Sequence, residues 1–123
     1  MQTLNVVIAQ SNPRVAQELT AALEQHFDFV YNACNLDDAR HAIAKYRARV
    51  AILDVELVSL SEVDNLRRQF AGLCMVCTHR LADEEMWTDA VDAGASDLYD
   101  AGDFQGILLA ALRRISATRP AAA

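Results

Sequence analysis

Three short runs hold the residues best equipped for chemistry in this 123-residue chain. Asp54 and Glu56, with Val55 between them, place two carboxylates at the end of an apolar stretch. A phosphotransferase or phosphatase could draw a nucleophile and an acid from such a pair, provided that a metal and a phosphate clamp stood nearby. Thr78, His79 and Arg80 set a hydroxyl, an imidazole and a guanidinium side by side, and imidazole can change charge near neutral pH. Cys74 and Cys77 spell C-x-x-C, a spacing that can serve disulfide exchange or zinc.

Each run also has a plainer reading. An aspartate that ends a strand and caps the next turn is common, and Thr78 suits a strand by its β-branching. Redox cysteine pairs stand at a helix start and zinc needs further ligands, whereas Cys74 and Cys77 lie in an apolar run. Three apart on a strand, their side chains point to opposite faces, so they are expected as buried thiols. With Cys34 the count is odd, which fits reduced cysteines in a cytoplasmic protein. No metal or phosphate clamp is evident beside Asp54 and Glu56, so an enzyme is not expected.

Composition narrows the classes further. Apolar residues make up 53% and charged residues 23%, the balance of one compact domain with a single core. Seventeen acidic against 11 basic residues give a net charge of -6, which repels nucleic acid and anionic membranes unless bases cluster. Lys45, Arg47 and Arg49 form the densest basic group, at an expected helix end where cations complement exposed carbonyls. The apolar run from Leu4 to Ala9 is too short for a signal peptide or a membrane span.

The elements that position these residues alternate regularly. Strands are expected at Leu4 to Ala9, Phe27 to Tyr31, Val50 to Leu53, Leu73 to Thr78 and Leu98 to Tyr99. Between them fall helical faces. Val15, Leu19, Ala22 and Leu23 follow Pro13, a good first helical residue. Ala39, Ala42, Ile43 and Tyr46 follow Asp37 and Asp38. Val63, Leu66 and Phe70 follow Ser59 or Ser61 as cap and end at Gly72. Trp87, Ala90 and Val91 face inward behind Asp83, Glu84 and Glu85 and stop at Gly94. The last helix, from about Asp103, repeats Phe104, Ile107, Leu108, Ala111, Leu112 and Ile115.

Five apolar strands and five amphipathic helices in alternation predict a doubly wound α/β domain, a five-stranded parallel sheet covered on both faces. In that architecture the site lies beyond the carboxyl ends of the strands where strand order reverses. The residues to examine are then Gln10 and Ser11, Asn32 and Ala33, Asp54 to Glu56, Thr78 to Arg80, and Asp100 to Gly102. A flavodoxin-like cofactor binder should show a Ser, Thr and Gly-rich phosphate loop after the first strand, and Gln10-Ser11-Asn12-Pro13 is a poor one.

Over residues 1–117 the chain resembles the receiver domains of response regulators, with 118–123 left as a linker stub or tail. The resemblance is carried by VVIAQSNPRV, VAILDVEL, MVCTHRLADEE and AVDAGASDLYDAG in that order. It implies a flavodoxin-like (βα)5 fold and a pocket where an aspartate ending the third strand takes a phosphoryl group from a histidine kinase. An acidic pair after the first strand holds magnesium there, and a hydroxyl residue and a lysine contact the phosphoryl oxygens. By this likeness Asp54 falls on the acceptor position and Thr78 on the hydroxyl position.

The other positions depart from the pattern. Gln10 and Ser11 replace the acidic pair, and Ala101 stands where the lysine belongs. Magnesium requires hard negative oxygens, and phosphoryl transfer is accelerated by cations set against the moving charge. The resemblance therefore implies a pseudo-receiver with weak or absent magnesium binding and no regulated phosphorylation; a phosphorylatable receiver with an altered metal site is the alternative. Glu56, His79 and Arg80 are expected at the pocket rim, with Glu56 and Arg80 paired and the His79 ring narrowing the entrance. Partners are expected to be proteins: a histidine kinase, a fused or downstream effector, or a second copy meeting the fourth helix, fifth strand and fifth helix. The aromatic switch position of the family falls on Leu98, with Tyr99 on the other side of the sheet.

Overall fold

The computed structural model describes residues 4–118. β1 (Asn5–Ala9), β2 (Phe29–Ala33), β3 (Val50–Asp54), β4 (Cys74–His79) and β5 (Asp97–Asp100) form one sheet in the order β2-β1-β3-β4-β5, with every pairing parallel. The connections are α1 (Pro13–Glu24), α2 (Leu36–Tyr46), α3 (Leu60–Gln69) and α4 (Glu84–Asp92), and α5 (Phe104–Thr118) closes the chain. This is the expected doubly wound fold of five strands and five helices.

Strand alternation divides the core in two. Val6, Ile8, Val50, Ile52, Cys74 and Val76 meet Leu19 and Leu23 of α1 and Ile107 and Ala111 of α5 on one face. Val7, Ala9, Ala51, Leu53, Met75 and Cys77 meet Ala39 and Ile43 of α2, Val63 and Leu66 of α3 and Ala90 of α4 on the other. Each fully buried Leu, Ile or Val stabilises the fold by about 1.5–3 kcal/mol through the apolar surface it removes from water. Cys74 and Cys77 are both buried and lie on opposite faces. Leu98 and Tyr99 are likewise divided between the two cores.

The ends of the helices follow local chemistry. The Asn12 side chain accepts from the amides of Arg14 and Val15 ahead of Pro13 at the first helical position, and Ser59, not Ser61, caps α3 in a reciprocal box with Glu62. Gly72 and Gly94 take positive φ, at 83° and 109°, a region open to glycine at little cost. Arg47 ends α2 in the left-handed region at φ 50°, its amide bonded to the Ile43 carbonyl, so it caps through its backbone. Lys45 instead lies over the Tyr46 ring, 5.3 Å from its centroid.

Three expectations need correction. β2 begins two residues later than Phe27, because Phe27 turns into the core beneath α1 while Asn32 and Ala33 continue the ladder with Ile8 and Ala9. On an edge strand an exposed polar residue such as Asn32 is tolerated, which hides it from an apolar pattern. Trp87 does not face inward: it is 47% exposed, and Ala90 is the buried residue of α4. The last helix runs through Thr118; the rest of the expected tail, 119–123, and the Ile115 side chain lie outside the described residues.

Candidate functional site

Strand register assembles the site. Ala9 pairs with Leu53 and Asp54 with Thr78, so Gln10 and Ser11, Asp54, and Thr78 converge at the carboxyl ends of β1, β3 and β4. β1 lies between β2 and β3, which makes this the place where strand order reverses. A cleft of about 460 Å³ opens there, with Gln10, Ser11, Asp54, Glu56, Arg80 and Ala101 in its walls. Asn32 and Ala33 lie within β2 instead and take no part.

Asp54 is 2% exposed and both oxygens of its carboxylate accept hydrogen bonds. Oδ2 accepts from the Ser11 amide at 3.1 Å and, in a short contact, from the Ser11 hydroxyl. Oδ1 accepts from the Glu56 amide at 3.0 Å. A buried carboxylate needs such donors, because desolvation without them costs several kcal/mol. Backbone bonds from Val55 to the Thr78 carbonyl and from Leu57 and Val58 to the Asp54 carbonyl hold the turn that aims it.

Thr78 has no exposed surface. Its hydroxyl sits behind the cleft and accepts from Gln10 Nε2 at 3.4 Å, while Gln10 Oε1 accepts from the Asn12 amide at 3.2 Å. Gln10 and Ser11 thus tie the β1–α1 loop to β4 and β3 through neutral groups. Ala101 donates its amide to the His79 carbonyl at 3.1 Å and brings only a methyl group to the cleft wall.

Glu56, His79 and Arg80 meet at the rim. Glu56 Oε1 lies 2.8 Å from Arg80 Nε and 3.3 Å from His79 Nε2. His79 Nδ1 accepts the Leu81 amide at 2.9 Å, which leaves Nε2 to carry the imidazole proton toward Glu56. The ring is therefore drawn to Leu81 and Glu56 and is not part of the cleft wall, contrary to the narrowing expected of it.

This donor set does not fit a magnesium ion. Asp54 and Glu56 are the carboxylates of the cleft; the first accepts three hydrogen bonds and the second is drawn to a guanidinium. Gln10 and Ser11 add oxygen without charge, whereas Mg²⁺ gives up its water reluctantly and is held by carboxylates or phosphates. Among the described residues no three His, Cys, Asp or Glu side chains come together as metal ligands. Burial pushes the Cys77 thiol up to about 12.

Sequence reasoning named the residues that meet here and the pairing of Glu56 with Arg80, and missed the bonds that join Ser11 to Asp54 and Gln10 to Thr78. Asn12 was overlooked as the cap that sets the α1 entry, although Asn followed by Pro is a recognisable helix start. The bond between the Trp87 indole and Asp97, at 2.8 Å, carries no pattern in sequence at all.

No protein-family model matches the sequence, and no curated protein does. Solved structures do. A response regulator from Thermotoga maritima superposes with a TM-score of 0.83 at 21% identity, covering 94% of this chain and 99% of that one. The BeF3-activated N-terminal receiver domain of Klebsiella pneumoniae RstA gives 0.75 at 26% identity, with 89% and 95% covered. The Salmonella typhimurium RcsB response regulator gives 0.81 at 18% identity; all of this chain is covered, against 64% of that one. The chain has the receiver fold of response regulators.

Proposed function

We propose that this receiver-fold domain is a pseudo-receiver: a signalling module of the response-regulator type that works through protein partners, without regulated phosphorylation at Asp54. One observation carries the reading. The oxygen of Asp54 that faces the β1–α1 loop is closed by Ser11, a neutral residue at a position where the resemblance implies a metal-holding acid. A phosphoryl group arriving at Asp54 would find no charged metal cradle and, at Ala101, no ammonium to steady it. Magnesium binding is accordingly weak or absent, and the domain is a binding module, not an enzyme. A histidine kinase or an effector domain is the class of protein it would engage.

The rival reading is a phosphorylatable receiver with an altered pocket. It is favoured by the register that sets Asp54, in the wall of an open cleft, beside Thr78. Amide spectra recorded during titration with beryllofluoride and magnesium separate the two. The pseudo-receiver reading expects no saturable change at the cleft; saturable shifts that vanish in Asp54→Ala would overturn it.

A further inference from the structure

The two edges of the sheet are guarded differently. β5, at one edge, reads DLYD, with an aspartate at each end, and charges on an edge strand keep other strands away. β2, at the other edge, reads FVYNA and carries neither a charge nor a proline. Every second residue of an edge strand turns its amide and carbonyl outward. Among the described residues nothing bonds to that side of β2.

Aromatic surface lies along the same edge. Phe29 is 40% exposed, and its ring centroid is 4.7 Å from that of Tyr46 on α2, which in turn is 5.6 Å from that of Tyr31. The three rings form one cluster on the face of the sheet that α2 covers. Aromatic side chains grouped at a surface are enriched in protein interfaces.

The charges of α2 select the occupant. Asp37 and Asp38 lie in its first turn, Lys45 lies in its last, and Arg47 follows at the cap. Arg40 pairs with Asp37, and Asp38 accepts from the Tyr31 hydroxyl and the Cys34 amide. Lys45 and Arg47 are in no ion pair among the described residues. Asp28, just before β2, is taken up by the Leu4 amide. Because α2 crosses from the end of β2 back to the start of the parallel β3, it runs opposite to the strands. Two β2 strands laid antiparallel about a twofold axis would set two α2 helices side by side in opposite directions, the bases of each beside the acids of the other. The uncharged strand is then its own complement, and the two aromatic clusters meet across the axis. We infer that the chain pairs with a second copy of itself along β2, joining two sheets into one. β2 and β5 are opposite edges of the sheet, so this contact is separate from one made through α4, β5 and α5. The inference does not depend on whether Asp54 can be phosphorylated.

Sedimentation velocity of the full chain over a range of concentrations reads the association, and a monomer–dimer equilibrium is expected. Phe29→Lys brings a charge to the open edge and should weaken the dimer by about tenfold or more, while Leu109→Lys, at an exposed position of α5, leaves it within about twofold. Lys45→Glu should also weaken it, and adding Asp37→Lys to Lys45→Glu should restore it, a rescue that loss of folding cannot produce. Circular dichroism confirms that the variants fold. A chain that is monomeric at every concentration, a dimer that Leu109→Lys dissociates and Phe29→Lys leaves intact, or a double variant no better than Lys45→Glu would each overturn the inference.

Discussion

Ser11 donates both its amide and its hydroxyl to one oxygen of Asp54, so the β1–α1 loop grips the β3 carboxylate directly. The grip depends on Ser11 being small and uncharged. A carboxylate at this position would repel Asp54 and would require a cation between them. Ser11 therefore supplies donors that a buried carboxylate needs, at a position where the resemblance implies an acid.

On that account Ser11→Ala should destabilise the domain by about 1.5–3 kcal/mol, the usual loss for a hydrogen bond to a charged group. The Ser11 amide and the Glu56 amide would remain to hold Asp54. Urea denaturation measures the change. A loss near zero would mean that water replaces the hydroxyl without penalty and that the grip contributes little.

The electrostatic argument can be run in reverse. Replacing Gln10 and Ser11 together by Asp would raise the carboxylates at the cleft from two, Asp54 and Glu56, to four, and their repulsion should lower stability in the absence of divalent ions. Magnesium should then restore it, because a ligand that binds only the folded state raises the melting temperature. The parent chain should show no such rise. Thermal unfolding of both proteins with and without magnesium is the test, and an equal response in the parent would refute the reading of Gln10 and Ser11.

At the rim the expectation is smaller. Glu56 and Arg80 form an ion pair at 2.8 Å, but the Arg80 side chain is 75% exposed, and pairs so placed contribute about 0–1 kcal/mol. A double-mutant cycle on Glu56→Ala and Arg80→Ala should return a coupling within that range. The bond from the Glu56 amide to Asp54 survives both changes, since it belongs to the backbone.

How much of this was legible in the sequence depended on where each residue sits in the sheet. β3 and β4 are central and covered on both faces, so VAIL and CMVC read as unbroken apolar runs and Asp54 and Thr78 stood out at their ends. β2 is an edge strand with two exposed residues among its five, and its start was misplaced. The inward assignment of Trp87 failed because helical periodicity places residues on a face without saying how wide the neighbouring sheet is. Among the described residues no further strand lies beyond β5 to cover that face. The bonds from Ser11 to Asp54 and from Gln10 to Thr78 depend on parallel register across three strands, which no local pattern encodes.

Cys77 supplies a prediction in pH and reactivity. Burial raises its thiol to about 12, because the thiolate would be stranded among apolar side chains. The unfolded chain loses this proton at a lower pH than the native one. Stability is therefore full below the ordinary thiol range and is lost as pH climbs toward 12. Cys77→Ala should lose less stability than the parent between neutral and strongly alkaline pH. Alkylation of the native protein near neutral pH should modify the exposed Cys34 and spare the buried Cys74 and Cys77. Mass spectrometry of the digested protein reads the outcome. Rapid native labelling of Cys77 would show that β4 opens far more readily than its place between β3 and β5 allows.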